Sequence, residues 1–243
     1  MCITMPLEKL NKIKNYLLDL VFPVQCLGCD RPDSYLCPNC LESISLIDYF
    51  VCPVCRHPST NGQTCPNCRS KTNLDGLIYA LNYDQPLVRQ AIHAIKYSFV
   101  QDLMPTVAEL LIQVLDQSHF AQDFSPDFVV PIPLHRQKLA QRGFNQAELL
   151  ATILSQKYSW GINNKILQRT KSTRSQTELP RQKRLTNVQN IFSLNELAVI
   201  KDKNIILIDD VCTTGATLEE AAKILKQQGA AKVWAIALAR GER

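Results

Sequence analysis

The chain has 243 residues, with 27 Lys+Arg against 22 Asp+Glu and a formal charge of +5. Hydrophobic residues make up 46% and charged ones 20%, ordinary globular usage that excludes disordered and fibrous classes. No uncharged apolar run approaches the ~18–20 residues of a membrane helix, so no membrane span is expected.

In chain order, residues 1–22 (MCITMPLEKLNKIKNYLLDLVF) read as an amphipathic helix. Glu8 and Asp19 interrupt its apolar stretch and no small-residue cleavage site follows, so it is not a secretory signal and a cytoplasmic location is expected. Residues 23–70 hold eight of the ten cysteines, as four Cys-x-x-Cys pairs: Cys26/Cys29, Cys37/Cys40, Cys52/Cys55 and Cys65/Cys68. Each knuckle turns two sulfurs to one side, and two knuckles complete a tetrahedron, so four pairs predict two structural Zn²⁺ sites. Pairing is open: sequential pairing gives tandem ribbons, interleaved pairing a cross-braced module. All eight positions are sulfur, which leaves no open ligand for catalysis, and so short a module folds with its metal. His57 reads as a solvated loop residue, and Cys2 and Cys212 stand apart.

Residues 71–243 read as an α/β domain. LIYALNYD (77–84) has strand composition, and PLVRQAIHAIKYS follows with Pro86 suited to a first helical turn. Residues 102–118 repeat the helical period, FVVPIP (128–133) is a strand, and 145–158 is a helix with Asn145 as N-cap. KNIILIDD (203–210) is a strand buried on both faces; helix 216–228 closes on Gly229; KVWAIALAR (232–240) is one more buried strand. The alternation predicts a mostly parallel sheet flanked by helices.

The most specific string is IILIDDVCTTGATL (205–218). It sets Asp209 and Asp210 at the carboxyl edge of a strand, where open α/β sheets bind ligands. Val211, Cys212, Thr213, Thr214, Gly215, Ala216 and Thr217 follow as a small-residue loop into a helix N-terminus, which favours an anion. Carboxylates repel phosphate, so the acids address hydroxyls while the loop takes the phosphate. A ribose 5-phosphate offers that combination. The string resembles the phosphoribosyl-pyrophosphate (PRPP) signature of type I phosphoribosyltransferases nearly position for position. That resemblance implies the type I fold, with Asp209 and Asp210 on the ribose hydroxyls and 211–217 on the 5′-phosphate. No Gly-x-Gly and no Gly-Lys-Ser/Thr occurs, so dinucleotide and P-loop fingerprints are absent.

The cysteine knuckles, VVPIPLHRQKLAQRGFNQAELLA (129–151) and the diacid site together resemble the ComF family, competence-associated proteins with an N-terminal double zinc ribbon. The resemblance implies a role in natural competence and DNA uptake. Within the type I fold PLHRQ resembles the pyrophosphate-binding loop of the amidophosphoribosyltransferases, which implies that role for Leu134, His135 and Arg136. A mobile lid over 167–192 would supply Arg169, Lys171, Arg174, Arg181 and Arg184 to the pyrophosphate, and Mg²⁺ would arrive with PRPP. Cys212 reads as a small filler within the phosphate loop.

Charge is unevenly spread. Residues 134–190 carry 11 Lys+Arg and 2 Asp+Glu, whereas 1–133 carry 9 and 13. Two Zn²⁺ with eight thiolates would subtract four charges and bring the loaded chain to about +1. Two readings follow. One is an enzyme, a glycosyltransferase that binds Mg-PRPP and transfers ribose 5-phosphate to an unidentified acceptor. The other is a non-catalytic module that binds single-stranded DNA or competence DNA-processing proteins through the basic segment, with PRPP as regulator. Phe144, Tyr158, Trp160 and Phe192 are the aromatics open to base stacking in that second reading.

Overall fold

A computed structural model of the chain describes residues 24–98, 100–171, 190–195 and 199–241. The expected helix at 1–22, Cys2, and the lid residues Arg174, Arg181 and Arg184 lie outside these residues. The described chain forms two compact units that divide between Ile44 and Ser45, between the second and third cysteine knuckles.

The first unit holds the turn around Cys26 and Cys29, closed by an antiparallel bridge between Gln25 and Pro32, and one short helix, α1 (Pro38–Glu42). The second unit begins with a matching turn closed by Val51 and Pro58 and two 3-10 turns, Thr60–Gly62 and Pro66–Lys71. This ribbon is joined to the edge of the sheet by backbone: Thr64 donates to Asp75 at 2.8 Å, and Gln63 bridges Gly76. The junction depends on Gly62, whose φ is +75° and where a Cβ would lie 2.1 Å from the Leu77 carbonyl oxygen.

The sheet follows from the apolar runs. β1 (Gly76–Asn82), β2 (Phe128–Pro131), β5 (Asn204–Cys212) and β6 (Lys232–Arg240) form four parallel strands in the order β1–β6–β5–β2. Ile205 to Ile208 and Ala235 to Ala239 are all fully buried, because helices cover both faces. α7 (Ala216–Gln227) packs on β5 and β6, where Ala221, Ala222 and Leu225 join Leu207, Val233 and Ala235 in one apolar cluster. By the pleat, alternate strand residues face the other layer. There lie α3 (Leu103–Gln117), against β1 and β6, and α6 (Gln146–Tyr158), against β2 and β5. α2 (Pro86–Tyr97) packs on α3, and a single turn, α4 (Phe120–Asp123), sets Phe120 and Phe124 against Trp234. As the sequence indicates, Asn145 caps α6: its side chain accepts from the Ala147 N–H at 3.1 Å.

Three elements differ from the sequence reading. β5 runs on to Cys212, because β6 extends beside it and pairs Asp209 with Ala237 and Cys212 with Arg240. Asp209 and Asp210 therefore sit inside a paired strand. PLHRQ, read as a loop, turns at His135 into the short helix α5 (Arg136–Arg142). The ends of the expected lid are tied together, since β3 (Leu167–Arg169) pairs antiparallel with β4 (Phe192–Leu194). Strands of three residues are too short to show a period.

Candidate functional site

The carboxyl edge of the parallel sheet gathers the chemistry. Asp209 and Asp210 are adjacent on β5, and the Asp210 N–H donates to Asp209 Oδ1 at 2.9 Å. From the last turn of α2, Lys96 places Nζ 3.0 Å from Asp210 Oδ2, with both side chains more than four-fifths covered. Burial raises the Asp209 carboxyl to about 7, and the neighbouring Asp210 charge adds to the effect. Lys96 and Arg169 pull the other way without restoring it. Burial works against the Lys96 ammonium too, but Asp210 more than compensates, so its pKa rises. The edge is thus a diacid with one carboxylate held by lysine and one poised near neutrality.

Beyond it β5 continues through Val211 and Cys212, and the chain then turns through Thr213 and Thr214 into α7. Gly215 stands at the helix N-cap with φ +77°, a conformation that side chains resist, and the Thr214 hydroxyl accepts from the Ala216 N–H at 3.2 Å. Cys212 is buried beside Gly215, as a filler would be. Glu219 in the first turn of α7 and Glu220 just after it would oppose an anion, yet both are engaged elsewhere. Glu219 accepts from the Asn73 N–H at 2.8 Å and from its amide, and Glu220 accepts from the Asn190 N–H at 2.6 Å. The helix dipole is left to favour an anion over 211–217.

The remaining residues singled out from the sequence scatter more widely. Arg169, on β3, lies over the Phe192 ring within electrostatic reach of Asp209, and burial lowers its pKa. Lys171 is exposed, as is Arg136 at the start of α5. Leu134 is half-buried. His135 acts structurally, for its Nδ1 accepts from the Gln137 N–H at 3.3 Å and caps α5. Phe144, Trp160 and Phe192 are each under 10% exposed, and Tyr158 stacks on Trp160 with its hydroxyl on Asp116. Three of the four aromatics set aside for base stacking are therefore core residues, and the half-buried Tyr158 is held against Trp160. The sequence reading missed Lys96. It sits among the ordinary polar positions of an amphipathic helix, and only the tertiary fold reveals its partner.

The cysteines pair sequentially. Cys26, Cys29, Cys37 and Cys40 form one group and Cys52, Cys55, Cys65 and Cys68 another, each with four sulfurs mutually within 4.8 Å. Cys29 and Cys37 sulfurs lie 3.6 Å apart and Cys55 and Cys65 3.7 Å, close to the ~3.8 Å edge of a tetrahedron with Zn–S near 2.3 Å. At this spacing four thiolates cannot coexist without a cation. Hydrogen bonding with Cys26 pushes Cys40 up to about 12. Burial alone would raise Cys26, but backbone N–H groups overcome it and bring that thiol down to about 6. His57 lies outside the four-sulfur set; its backbone and side chain bring Cys55 down to about 6.

Comparison with known proteins agrees with this geometry. Residues 100–243 match the family model for the phosphoribosyl transferase domain. The chain belongs to that family. Residues 17–69 match the double zinc ribbon domain, which together with the two sulfur groups supports zinc binding. The chain is 31% identical over 226 residues to the DNA utilization protein YhgH of Escherichia coli K12, covering 89% of this chain and 98% of that protein. It is 32% identical over 233 residues to competence protein F of Haemophilus influenzae, covering 90% and 98%. To competence protein ComFC of Bacillus subtilis it is 29% identical, covering 83% and 82%. The ComF resemblance and the phosphoribosyltransferase fold are borne out. Among the described residues no helix is long and apolar enough to cross a membrane.

Proposed function

We propose that this chain binds Mg-PRPP and transfers ribose 5-phosphate to an acceptor. One observation carries the reading: a diacid near the carboxyl end of β5, two residues before a Thr-Thr-Gly turn into a helix whose first-turn glutamate, Glu219, and its neighbour Glu220 are both engaged. Asp209 and Asp210 accept from the ribose hydroxyls, and residues 211–217 hold the 5′-phosphate through backbone N–H groups and threonine hydroxyls. Leu134, His135 and Arg136 form the wall on the pyrophosphate side, with Arg136 as the exposed cation. Arg169 and Lys171 stand at the root of the lid, and Arg174, Arg181 and Arg184 belong to the same segment. In transfer, the bond from ribose C1′ to the pyrophosphate oxygen breaks, pyrophosphate leaves with the electron pair, and C1′ bonds to the acceptor, whose proton passes to solvent. Excluding water protects the developing cation from hydrolysis.

Mg²⁺ suits this set, because the hard oxygens of Asp209 and Asp210 reach it through hydroxyls or water, and it supplies charge neutralisation to the leaving pyrophosphate. The eight cysteines hold two Zn²⁺ in structural roles. The division into 1–22, 23–70 and 71–243 and a cytoplasmic location are part of the same reading. Calorimetric titration of PRPP with Mg²⁺ tests it. Saturable binding is expected in the wild type and loss in Asp209→Asn/Asp210→Asn; equal binding by that variant refutes the assignment.

The relatives' names bring a second reading, that the chain acts in DNA utilization and competence and meets single-stranded DNA or DNA-processing proteins. Its support is the basic segment 134–190 together with Tyr97, 46% exposed and carrying the Arg142 guanidinium 5.0 Å over its ring. Binding of a single-stranded oligonucleotide that falls steeply with salt and weakens in Arg142→Ala supports it. Salt-insensitive or undetectable binding overturns it.

A further inference from the structure

A second recess lies beside the candidate PRPP site, in the same compact unit. It is a cleft of about 460 Å³ between the second ribbon and the carboxyl ends of β1 and β6. Leu46, Ile47 and Val51 give it an apolar wall, and Tyr49, 65% exposed, stands at its mouth. Arg240 closes the back. That side chain is 5% exposed, yet its Nε and Nη1 have no hydrogen-bond partner. Nη2 donates to the Pro53 carbonyl at 2.8 Å, the guanidinium lies 5.5 Å over the Tyr79 ring, and Tyr79 and Cys212 favour its charged form without supplying a carboxylate. Arg56 lines the same cleft, with Nη2 3.5 Å from the Gly241 carbonyl, and so sets a second cation beside the first. Among the described residues neither guanidinium has a carboxylate within salt-bridge distance; the acid lining the cleft, Asp48, is exposed.

A buried cation without a counter-charge is costly, and the cost is recovered when a ligand supplies the charge. Two arginines against one aspartate leave the cleft at +1, which a monoanion balances and a phosphate dianion overshoots. The apolar wall asks for a flat hydrocarbon body behind that charge, and the volume suits a small molecule. The position suits an acceptor. Cys212 of the phosphate turn is paired in register with Arg240, and the Gly241 N–H donates to the Cys212 carbonyl at 3.1 Å. The cleft and the 5′-phosphate turn thus share one strand pair.

We propose that this cleft is the acceptor site and that the acceptor is a small planar carboxylate, held by Arg56 and Arg240 with its ring against Leu46, Ile47 and Val51. The role as acceptor rests on the PRPP reading above; the carboxylate site does not. The test is a ligand-observed NMR titration of the zinc-loaded full chain with benzoate, and with neutral benzamide of the same shape. Benzoate is expected to bind with Kd about 1 mM, and benzamide at least tenfold more weakly. Arg56→Gln, a substitution at the cleft's less buried cation, is expected to weaken benzoate about tenfold. Arg240→Gln should do the same, with folding checked by circular dichroism. Equal affinities for benzoate and benzamide, or unchanged benzoate binding in Arg56→Gln, overturn the proposal. A PRPP titration of the same sample separates the two readings. Benzoate binding without PRPP binding leaves a carboxylate site but removes its role as acceptor site; PRPP binding without benzoate binding removes the cleft assignment alone.

Discussion

Asp209→Asn should stabilise the protein at alkaline pH, and the gain should shrink as pH falls. Asp209 is raised from 3.8 to about 7 in the folded protein, first by burial and then by the Asp210 charge. A carboxyl with a raised folded-state value binds its proton more tightly when folded. Its contribution is fully present below about 4 and is lost as pH rises toward about 7. Over that window the ceiling is about 4 kcal/mol at ~1.4 kcal/mol per pH unit. Water reaches the pair and Asp210 shares the charge, so about half, ~2 kcal/mol, is a fair expectation at pH 8. Asn keeps the shape, removes the charge and escapes this cost. Between pH 5.5 and 8.0 the advantage of Asp209→Asn should grow by about 1 kcal/mol, or ~2–4 °C in Tm for a unit of this size. Lys96, also raised, titrates above this window and leaves the sign unchanged. Thermal unfolding of both zinc-loaded proteins at the two pH values measures it, and thiolate protonation at low pH cancels in the difference. If the wild type is the more stable protein at pH 8, or the difference does not change with pH, the reasoning about Asp209 is wrong.

Lys96→Met removes the cation that holds Asp210 at 3.0 Å. Asp209, which Lys96 also pulls down, should then keep its proton to higher pH, and the pH midpoint for Mg-PRPP binding in calorimetry should rise by about one unit. Gly62→Ala puts a methyl 2.1 Å from the Leu77 carbonyl at a φ of +75°, and should cost about 2–3 kcal/mol in chemical unfolding. Treatment with a strong chelator should release two Zn²⁺ per chain, read by a colorimetric zinc indicator, and should lower Tm by more than 10 °C. Cys52→Ser should leave one zinc bound, because the two sulfur groups are separate.

The parts of the fold that were legible are those encoded by near-neighbours. β6 appears in the sequence as nine residues of near-continuous apolar character, and it occupies those nine positions, 232–240, because a strand between β1 and β5 is buried on both faces. Asn145 announces α6 because capping is a contact between residues two apart. The diacid and its turn were legible for the same reason: strand, acids, glycine and helix start occupy fourteen consecutive residues. Cysteine pairing was illegible, since both pairings satisfy the same local spacing. The hairpin of β3 and β4 was illegible too. Its register, Leu167 with Leu194, spans 27 residues with three on each strand, too few for any period to show.

Lys96 shows why a site can be located by sequence and yet not understood from it. Its place in the sequence is the polar stripe of α2, more than a hundred residues from the diacid, and in sequence it is one more helical lysine. In the fold it is the cation nearest Asp210. Without it, Asp209 would lose one of the two cations that pull its carboxyl down, and would hold its proton more tightly beside the Asp210 charge. The lysine pairs with Asp210 at 3.0 Å while burial keeps the Asp209 carboxyl poised at about 7. Binding a sugar whose hydroxyls satisfy Asp209 should therefore favour its ionised form and release a proton near pH 7. Calorimetry of Mg-PRPP binding in buffers of different ionisation enthalpy measures that proton directly. Release of up to one proton per site is expected at pH 6.5, falling toward zero at pH 8.5, where Asp209 is already ionised. Proton uptake on binding, or a release that does not depend on pH, would show that Asp209 is not the group that changes state.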